Sequence, residues 1–468
     1  MVKRYRYIPV LLTDKTIYLL SFAILAVVPA ILQETFFVGI IAILFAAILG
    51  LYLLSSLKDP YLMVVWIPIG SYLGYFIVLF QNAVIPFSLF QIFLVLSFIV
   101  FGLNFFLSRN FHLRLTGHEM EWSLFFLFIL LSLIYSPNRS EGLLYALRLF
   151  FLIGMVYLLL NTIRTKQQLT FILGVVVFIS VILSIVSIKE GLLNKEAAVL
   201  GFLTSGQKLI SRATGVQKDP NIFATHFFLP ILLTASITLN RKIHWSKRII
   251  GAILFIILFL GIISTYSRSG WIAISLSLLM MAIWFRQKKV IVALFLLGVL
   301  ILLLFPNYQF ILFNLIKRFF GVFTGEIDES SRVRIYLGIG AVKMFFDSYL
   351  WGVGFRGFPV VFPKIIPPQN TLGVVEPHNI FYTILAELGI VGFLIFLWII
   401  GKILSTGIGV LKHPHVREDE YTMGSALVIT FVAYLIFYQF YGGGLFDNNF
   451  WIIISLIFCL QRLRWNPQ

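Results

Sequence analysis

The sequence predicts an all-α, polytopic membrane protein with about 12–14 transmembrane helices and a large outward-facing loop containing short helices. Three observations carry this expectation. Of 468 residues, 60% are hydrophobic and 12% charged, and the mean hydropathy is +0.98. A soluble domain of this length would carry roughly twice that charge fraction. The apolar residues fall in runs of about 20, the length that crosses a bilayer as a helix. Lys and Arg sit mostly in the short loops between those runs, so the net charge of +17 reflects orientation signals and contacts with anionic membrane lipids, not nucleic acid. The single cysteine, Cys459 in the last apolar run, excludes an intramolecular disulfide. Met1-Val2-Lys3-Arg4-Tyr5-Arg6 precedes a span without a small-residue cleavage site and is expected to be retained.

About fourteen runs meet the length criterion. In order they are 17–32, 35–56, 61–80, 88–107, 122–135, 143–161 and 168–188, then 221–239, 249–264, 268–285 and 289–305, and finally 378–400, 423–441 and 447–461. The fifth and the last are short, and only Tyr266-Ser267 divides the ninth from the tenth. The basic residues check this register. With a cytoplasmic N-terminus, the inner segments carry Lys58, Arg114, Arg164, Lys166, Lys242, Lys402 and Arg462 among others, while the short outer loops hold only Arg139 and Arg268. Both termini are then inside. Two long segments face outward, giving a division into N-terminal spans (1–188), an outer loop (189–220), spans (221–305), a large outer loop (306–377) and C-terminal spans (378–468). Loops of that length are functional or disordered far more often than connective. In the larger one, apolar runs at Phe310–Leu315 and Ile335–Phe346 alternate with Gly-rich turns, which predicts short helices lying at the interface.

Polar groups collect on the outward side. Arg212-Ala213-Thr214-Gly215 precedes Lys218-Asp219-Pro220-Asn221 at one span start, and Ser267-Arg268-Ser269-Gly270 opens another. Ser331-Arg332-Val333-Arg334-Ile335-Tyr336 and Trp351-Gly352-Val353-Gly354-Phe355-Arg356 lead to Glu376-Pro377-His378-Asn379, which opens a third. Helix N-termini present free N–H groups, and Arg adds a bidentate fork, so starts at Asn221, Arg268 and His378 suit a diphosphate. A histidine at the membrane boundary titrates near neutral pH and can serve as a general base. Each element also has a plainer reading. Interfacial Arg snorkels to headgroups, Gly352-Val353-Gly354 makes a turn, and Asp219-Pro220-Asn221 is a capped helix entry. His226, inside a span, suits a hydrogen bond to a neighbouring helix, and Glu387 suits either a functional or a structural role. His112, His118, His244, His413 and His415 face inward on this topology, so a catalytic histidine on the outer side would be His378.

Taken together these clusters resemble the O-antigen ligase and polymerase superfamily of bacterial envelope glycan enzymes. The resembling residues, in order, are Arg212 with Gly215 and Asp219-Pro220-Asn221, Ser267-Arg268-Ser269-Gly270-Trp271, and Ser331-Arg332 with Tyr336. Gly352-Val353-Gly354 follows, then Pro377-His378-Asn379 with Glu387, Gly389 and Gly392. The resemblance spans residues 200–400; the earlier part matches only as a set of apolar spans. It implies a GT-C-like helical fold in the bacterial cytoplasmic membrane, with the active site facing outward. It implies an undecaprenyl-diphosphate-linked glycan as donor, a glycan or lipid A core sugar as acceptor, and no metal or cofactor. His378 would deprotonate the acceptor, and Arg212 and Arg268 would bind the diphosphate and stabilise its departure. Arg332 is expected in support, with Arg334 as the alternative equivalent; Arg356, Lys218, Asn221 and Asn379 complete the expected substrate-binding set.

The chemistry stands without the family. Departing diphosphate develops charge that fixed cations in a poorly solvated site stabilise, and an attacking hydroxyl needs a proton acceptor. The expected activity is that of a ligase. The short final outer segment, Tyr441–Phe446, disfavours a protein acceptor, whereas the span count leans toward a polymerase joining lipid-linked repeat units. The reading from another class is a lipid-linked glycan flippase. Mid-membrane ionisable groups would support it, and the spans hold few: Arg148, His226 and Glu387.

Overall fold

A computed structural model describes residues 56, 59–73, 88–107, 113–193, 212–215, 217, 219–287, 329–367 and 377–465. The expected spans 17–32 and 289–305, almost all of 35–56, the run Phe310–Leu315 and Lys218 lie outside the described residues. In chain order the helices are α1 (Tyr61–Val64), α2 (Trp66–Leu73), α3 (Leu89–Leu107), α4 (Glu119–Ser132) and α5 (Arg139–Thr162). They continue with α6 (Lys166–Ile188), α7 (Pro220–Thr225), α8 (Phe228–Leu239), α9 (Trp245–Ser264) and α10 (Arg268–Trp284). The last are α11 (Glu329–Asp347), α12 (Phe358–Ile365), α13 (Ile380–Lys412), α14 (Glu418–Phe437) and α15 (Asn448–Trp465). No strand occurs among the described residues. Every other expected span coincides with a helix or a helix pair over its described residues, 74–80 of the third lying outside them, and the chain is an all-α polytopic membrane protein.

By compactness the chain divides into one unit of Met1–Met63 with Leu96–Phe111 and a second of Val64–Val95 with His112–Gln468. The described part of the first is largely the second half of α3. The second holds the rest, with α8, α14 and α15 at its centre. Burial separates central from peripheral helices: 83% of the Pro220–Leu239 stretch is enclosed by protein, against 22% of α9. Helices apolar all round are buried or face lipid, and the exposed Ile249, Ile253 and Ile256 of α9 fit the second case. At fourteen residues, α4 is about 21 Å long and falls short of a bilayer's hydrocarbon thickness.

The two sets of charge-bearing segments occupy opposite ends of this unit. At the end predicted to be cytoplasmic, Lys166 pairs with Asp419 and Glu420, Lys242 pairs with Glu418, and Arg462 bonds the carbonyls of Leu160 and Ile163. His118 joins that end by an Nε2 contact to Thr406 Oγ1 at 3.0 Å.

Two helices depart from the continuous spans that hydropathy predicts. The expected span 221–239 is broken at His226-Phe227 into α7 and α8. The freed carbonyls of Thr225 and His226 are taken by the hydroxyls of Tyr434 (3.1 Å) and Ser180 (3.3 Å), which makes a break tolerable in an apolar medium. His226 is itself buried there. Its Nδ1 lies 3.0 Å from Ile222 O and its Nε2 lies 2.8 Å from Gln217 Nε2. The other departure is in α13. Its 33 residues exceed a span, and Gly389 (φ 64°, ψ −164°) interrupts it. Residues 389–412 alone measure about 36 Å, so the segment before the kink is surplus to crossing.

That surplus segment anchors the folded part of the large loop. Val333, Leu337, Ala341 and Met344 recur at helical spacing along α11 and pack with Phe358 and Phe362 of α12 and with Ala386 of α13. The connection between α11 and α12 runs beside the kink. Val353 N and Gly354 N donate to the carbonyls of Ala386 and Glu387, and Ile390 N donates to Leu350 O. Gly352 (φ 83°) is forced to be glycine, because a Cβ there would stand 2.5 Å from Glu387 O. The helix expected over Ile335–Phe346 is present as part of α11.

Candidate active site

Three helix starts that the sequence singled out are each capped by their own polar residue. Asp219 Oδ1 accepts from Asn221 N (2.7 Å) with Pro220 in the first turn of α7. Ser267 Oγ accepts from Gly270 N (3.2 Å) at α10, and Asn379 Oδ1 accepts from the N–H groups of Phe381 and Tyr382 (2.8 and 3.1 Å) at α13. The α9–α10 connection is as tight as Tyr266-Ser267 predicted, with Tyr266 in the left-handed region at φ 50°.

Hydrogen bonds join the α7 and α10 starts, and a ring contact carries the connection on to the start of α13. Asn221 Oδ1 accepts from Ser267 Oγ (2.8 Å) and from the Arg212 guanidinium (3.4 Å), whose Nε also donates to Thr265 O (3.2 Å). The Arg212 segment is strapped in place: Ala213 N donates to Ser264 O, and the N–H groups of Thr214 and Gly215 donate to Glu190 Oε2. Burial pulls the Arg212 pKa down from its ordinary value, and the nearby Asp219 carboxylate opposes that. The second carboxylate oxygen of Asp219 accepts from the Tyr441 hydroxyl at 2.8 Å. The Tyr441 ring in turn lies against His378, with centroids 6.2 Å apart and planes inclined by 40°.

His378 opens onto a cavity of about 990 Å³ between the start of α13 and one side of α11. Its polar lining includes Arg334, Lys343, Asn379 and Gln439. Ile335, Ile339, Val342 and Tyr382 supply an apolar wall, and all four are exposed. Of the two arginines on α11, Arg334 lines the cavity, while Arg332 is exposed near the helix N-terminus and is not among the lining residues.

Arg356 stands elsewhere. Its guanidinium pairs with Glu141 Oε1 on α5 (2.5 and 3.2 Å) and lies 4.1 Å over the ring of Tyr145. Glu387 is buried beside the kink, where Oε1 accepts from Phe358 N (3.3 Å) at the start of α12. Arg148 donates to Phe446 O at 2.8 Å.

Sequence reasoning passed over Tyr441, Gln439 and Lys343. Gln439 accepts from Asn379 Nδ2 through both its side chain (3.1 Å) and its carbonyl (3.2 Å), and Ile380 N donates to Tyr438 O (2.9 Å). The short final outer segment thus braces the His378 helix start. The available signal was three aromatic or amide residues, Tyr438, Gln439 and Tyr441, directly ahead of Gly442-Gly443-Gly444. No curated protein matches the chain. A protein-family model described as O-antigen ligase matches residues 253–397. That segment holds the Arg268, Arg334 and His378 motifs and the kink at Gly389, and over it the chain is similar to O-antigen ligases.

Proposed function

We propose that this protein transfers a glycan from an undecaprenyl-diphosphate carrier to an acceptor hydroxyl at the outward end of the bundle, as a ligase with a lipid A core sugar or another glycan as acceptor. The supporting observation is the hydrogen-bonded chain from Arg212 and the Arg268 helix start through Asn221 and Asp219 to Tyr441, whose ring lies beside a histidine at the mouth of a large cavity. His378 takes the acceptor proton as the hydroxyl oxygen bonds to the anomeric carbon. The bond from that carbon to the diphosphate oxygen breaks, and its electron pair leaves on the diphosphate. Arg212 and Arg268 stabilise the charge that develops there. Arg334 and Lys343 add cations across the cavity, and the exposed apolar wall of α11 suits a lipid tail.

The transporter alternative is the weaker reading. Arg148, His226 and Glu387, the ionisable groups expected inside spans, each hold a structural hydrogen bond. The deciding experiment uses purified protein in lipid with the undecaprenyl-diphosphate-linked repeat as sole substrate, then with candidate acceptors added. Transfer only to a separate acceptor identifies a ligase, and a length ladder from donor alone identifies a polymerase. His378→Ala should remove at least about 10³-fold of turnover while leaving donor binding nearly intact. Near-normal transfer by that variant would sink the assignment of the base.

A further inference from the structure

The two charges that change during such a transfer sit at opposite ends of a chain of contacts: hydrogen bonds from Arg212 through Asn221 and Asp219 to Tyr441, then the Tyr441 ring beside His378. A proton arrives at His378 as negative charge appears beside Arg212 and Arg268, so the spacing between these poles matters to within about 1 Å. Between them stands Tyr441. Its hydroxyl is tied to Asp219, its ring stacks on Phe437 (5.3 Å, 28°), and its ring also faces His378. The backbone around it is clamped to the His378 turn. Ile380 N reaches Tyr438 O, Asn379 Nδ2 reaches Gln439, and a Cβ on Gly442 would stand 2.7 Å from Pro377 O.

Asp219 is held as firmly. One oxygen caps α7 through Asn221 N and the other receives Tyr441. With both oxygens engaged, it acts here as an anchor and as the negative charge that favours ionised Arg212.

We infer that Tyr441, tied to Asp219, is a positioning residue that fixes the His378 ring relative to the arginine pole. This inference rests on the transfer reading for its kinetic consequence, but its geometric half stands alone. It also places a working residue outside the segment that matches the ligase family, in a stretch too short to fold by itself.

Tyr441→Phe tests it with little disturbance, because the ring and its stacking survive while the tie to Asp219 is lost. Asp219→Asn is the second variant: asparagine still caps a helix but supplies one acceptor oxygen instead of two. The readout independent of activity is the rate at which diethyl pyrocarbonate modifies His378 in the full-length protein in lipid. It is followed by peptide mass spectrometry, with exposed His244 as internal reference. Each variant should raise the His378 rate about threefold or more while the His244 rate holds, because a ring released from its neighbour samples more orientations. Tyr441→Phe should also lower kcat about tenfold with donor affinity changed less than about twofold, and the double variant should have a kcat no lower than the poorer single, as expected for one coupled unit.

An unchanged His378 modification rate in Tyr441→Phe would overturn the inference whatever the activity. Equal acceleration at His244 would also overturn it, by showing general loosening instead of a local release. If the His378 rate rises but wild-type protein transfers no glycan, the positioning stands and the transfer reading fails.

Discussion

Arg212 and Arg356 present the same side chain beside a glycine-containing turn on the side of the molecule predicted to face outward, and their surroundings differ in one decisive respect. Arg356 meets a full carboxylate, Glu141, and an aromatic face, Tyr145, so its charge is already answered within the protein. Arg212 meets only neutral acceptors, a backbone carbonyl and the amide oxygen of Asn221, with Asp219 acting from further off. A guanidinium held by neutral groups keeps its positive charge for an anion, whereas one held by a carboxylate has been spent on packing α5 against the α11–α12 connection. Arg334 also opens on the His378 cavity.

The contrast breaks most visibly at turnover. Arg212→Ala should lower transfer by about 10²–10³ and weaken donor binding as well, the loss typical of one stabilising donor removed from a developing oxyanion. Measurement of kcat and donor affinity on the purified variant checks this, and normal donor affinity would move Arg212 into the same class as Arg356. A second effect should appear in stability alone. Gly389→Val puts a branched side chain at φ 64° against Leu350 O and Trp351, which should cost about 3 kcal/mol or more and lower the thermal midpoint. The smallest change sharpens the contrast from the other side. Arg356→Ala should cost about 1–2 kcal/mol of stability through the lost Glu141 pair, with donor affinity unchanged. Weakened donor binding without a stability loss would return Arg356 to the substrate site.

The sequence revealed the spans because hydrocarbon thickness imposes a length, and apolar runs of that length are local. It revealed the helix starts for a similar reason: Asp219, Ser267 and Asn379 each cap a turn a few residues away. What stayed hidden depends on remote partners. The break at His226 is tolerated because Tyr434 and Ser180 supply hydroxyls from other helices, and hydropathy carries no trace of that. The bond from Tyr441 to Asp219 joins residues 222 positions apart. Glu387 looked like a carboxyl deep in a straight span, but the kink two residues later makes it the cap of a neighbouring helix start. Arg332 and Arg334 were inseparable by motif, and only the packing of Val333, Leu337, Ala341 and Met344 fixes which lines the cavity.

The clamped segment 380–388 has a bearing on how chains of this kind can diverge. It is tied to Tyr438 at one end and to Leu350–Gly354 at the other, so its length is a fixed dimension, like a beam cut to fit two supports. Inserting or deleting one residue would swing His378 by about 100° around the helix axis and displace it about 1.5 Å along it. Substitutions on its exposed face cause no such rotation. Across descendants of this sequence, amino-acid changes should therefore accumulate there while the residue count stays constant, and length variation should be confined to connections that no second element measures.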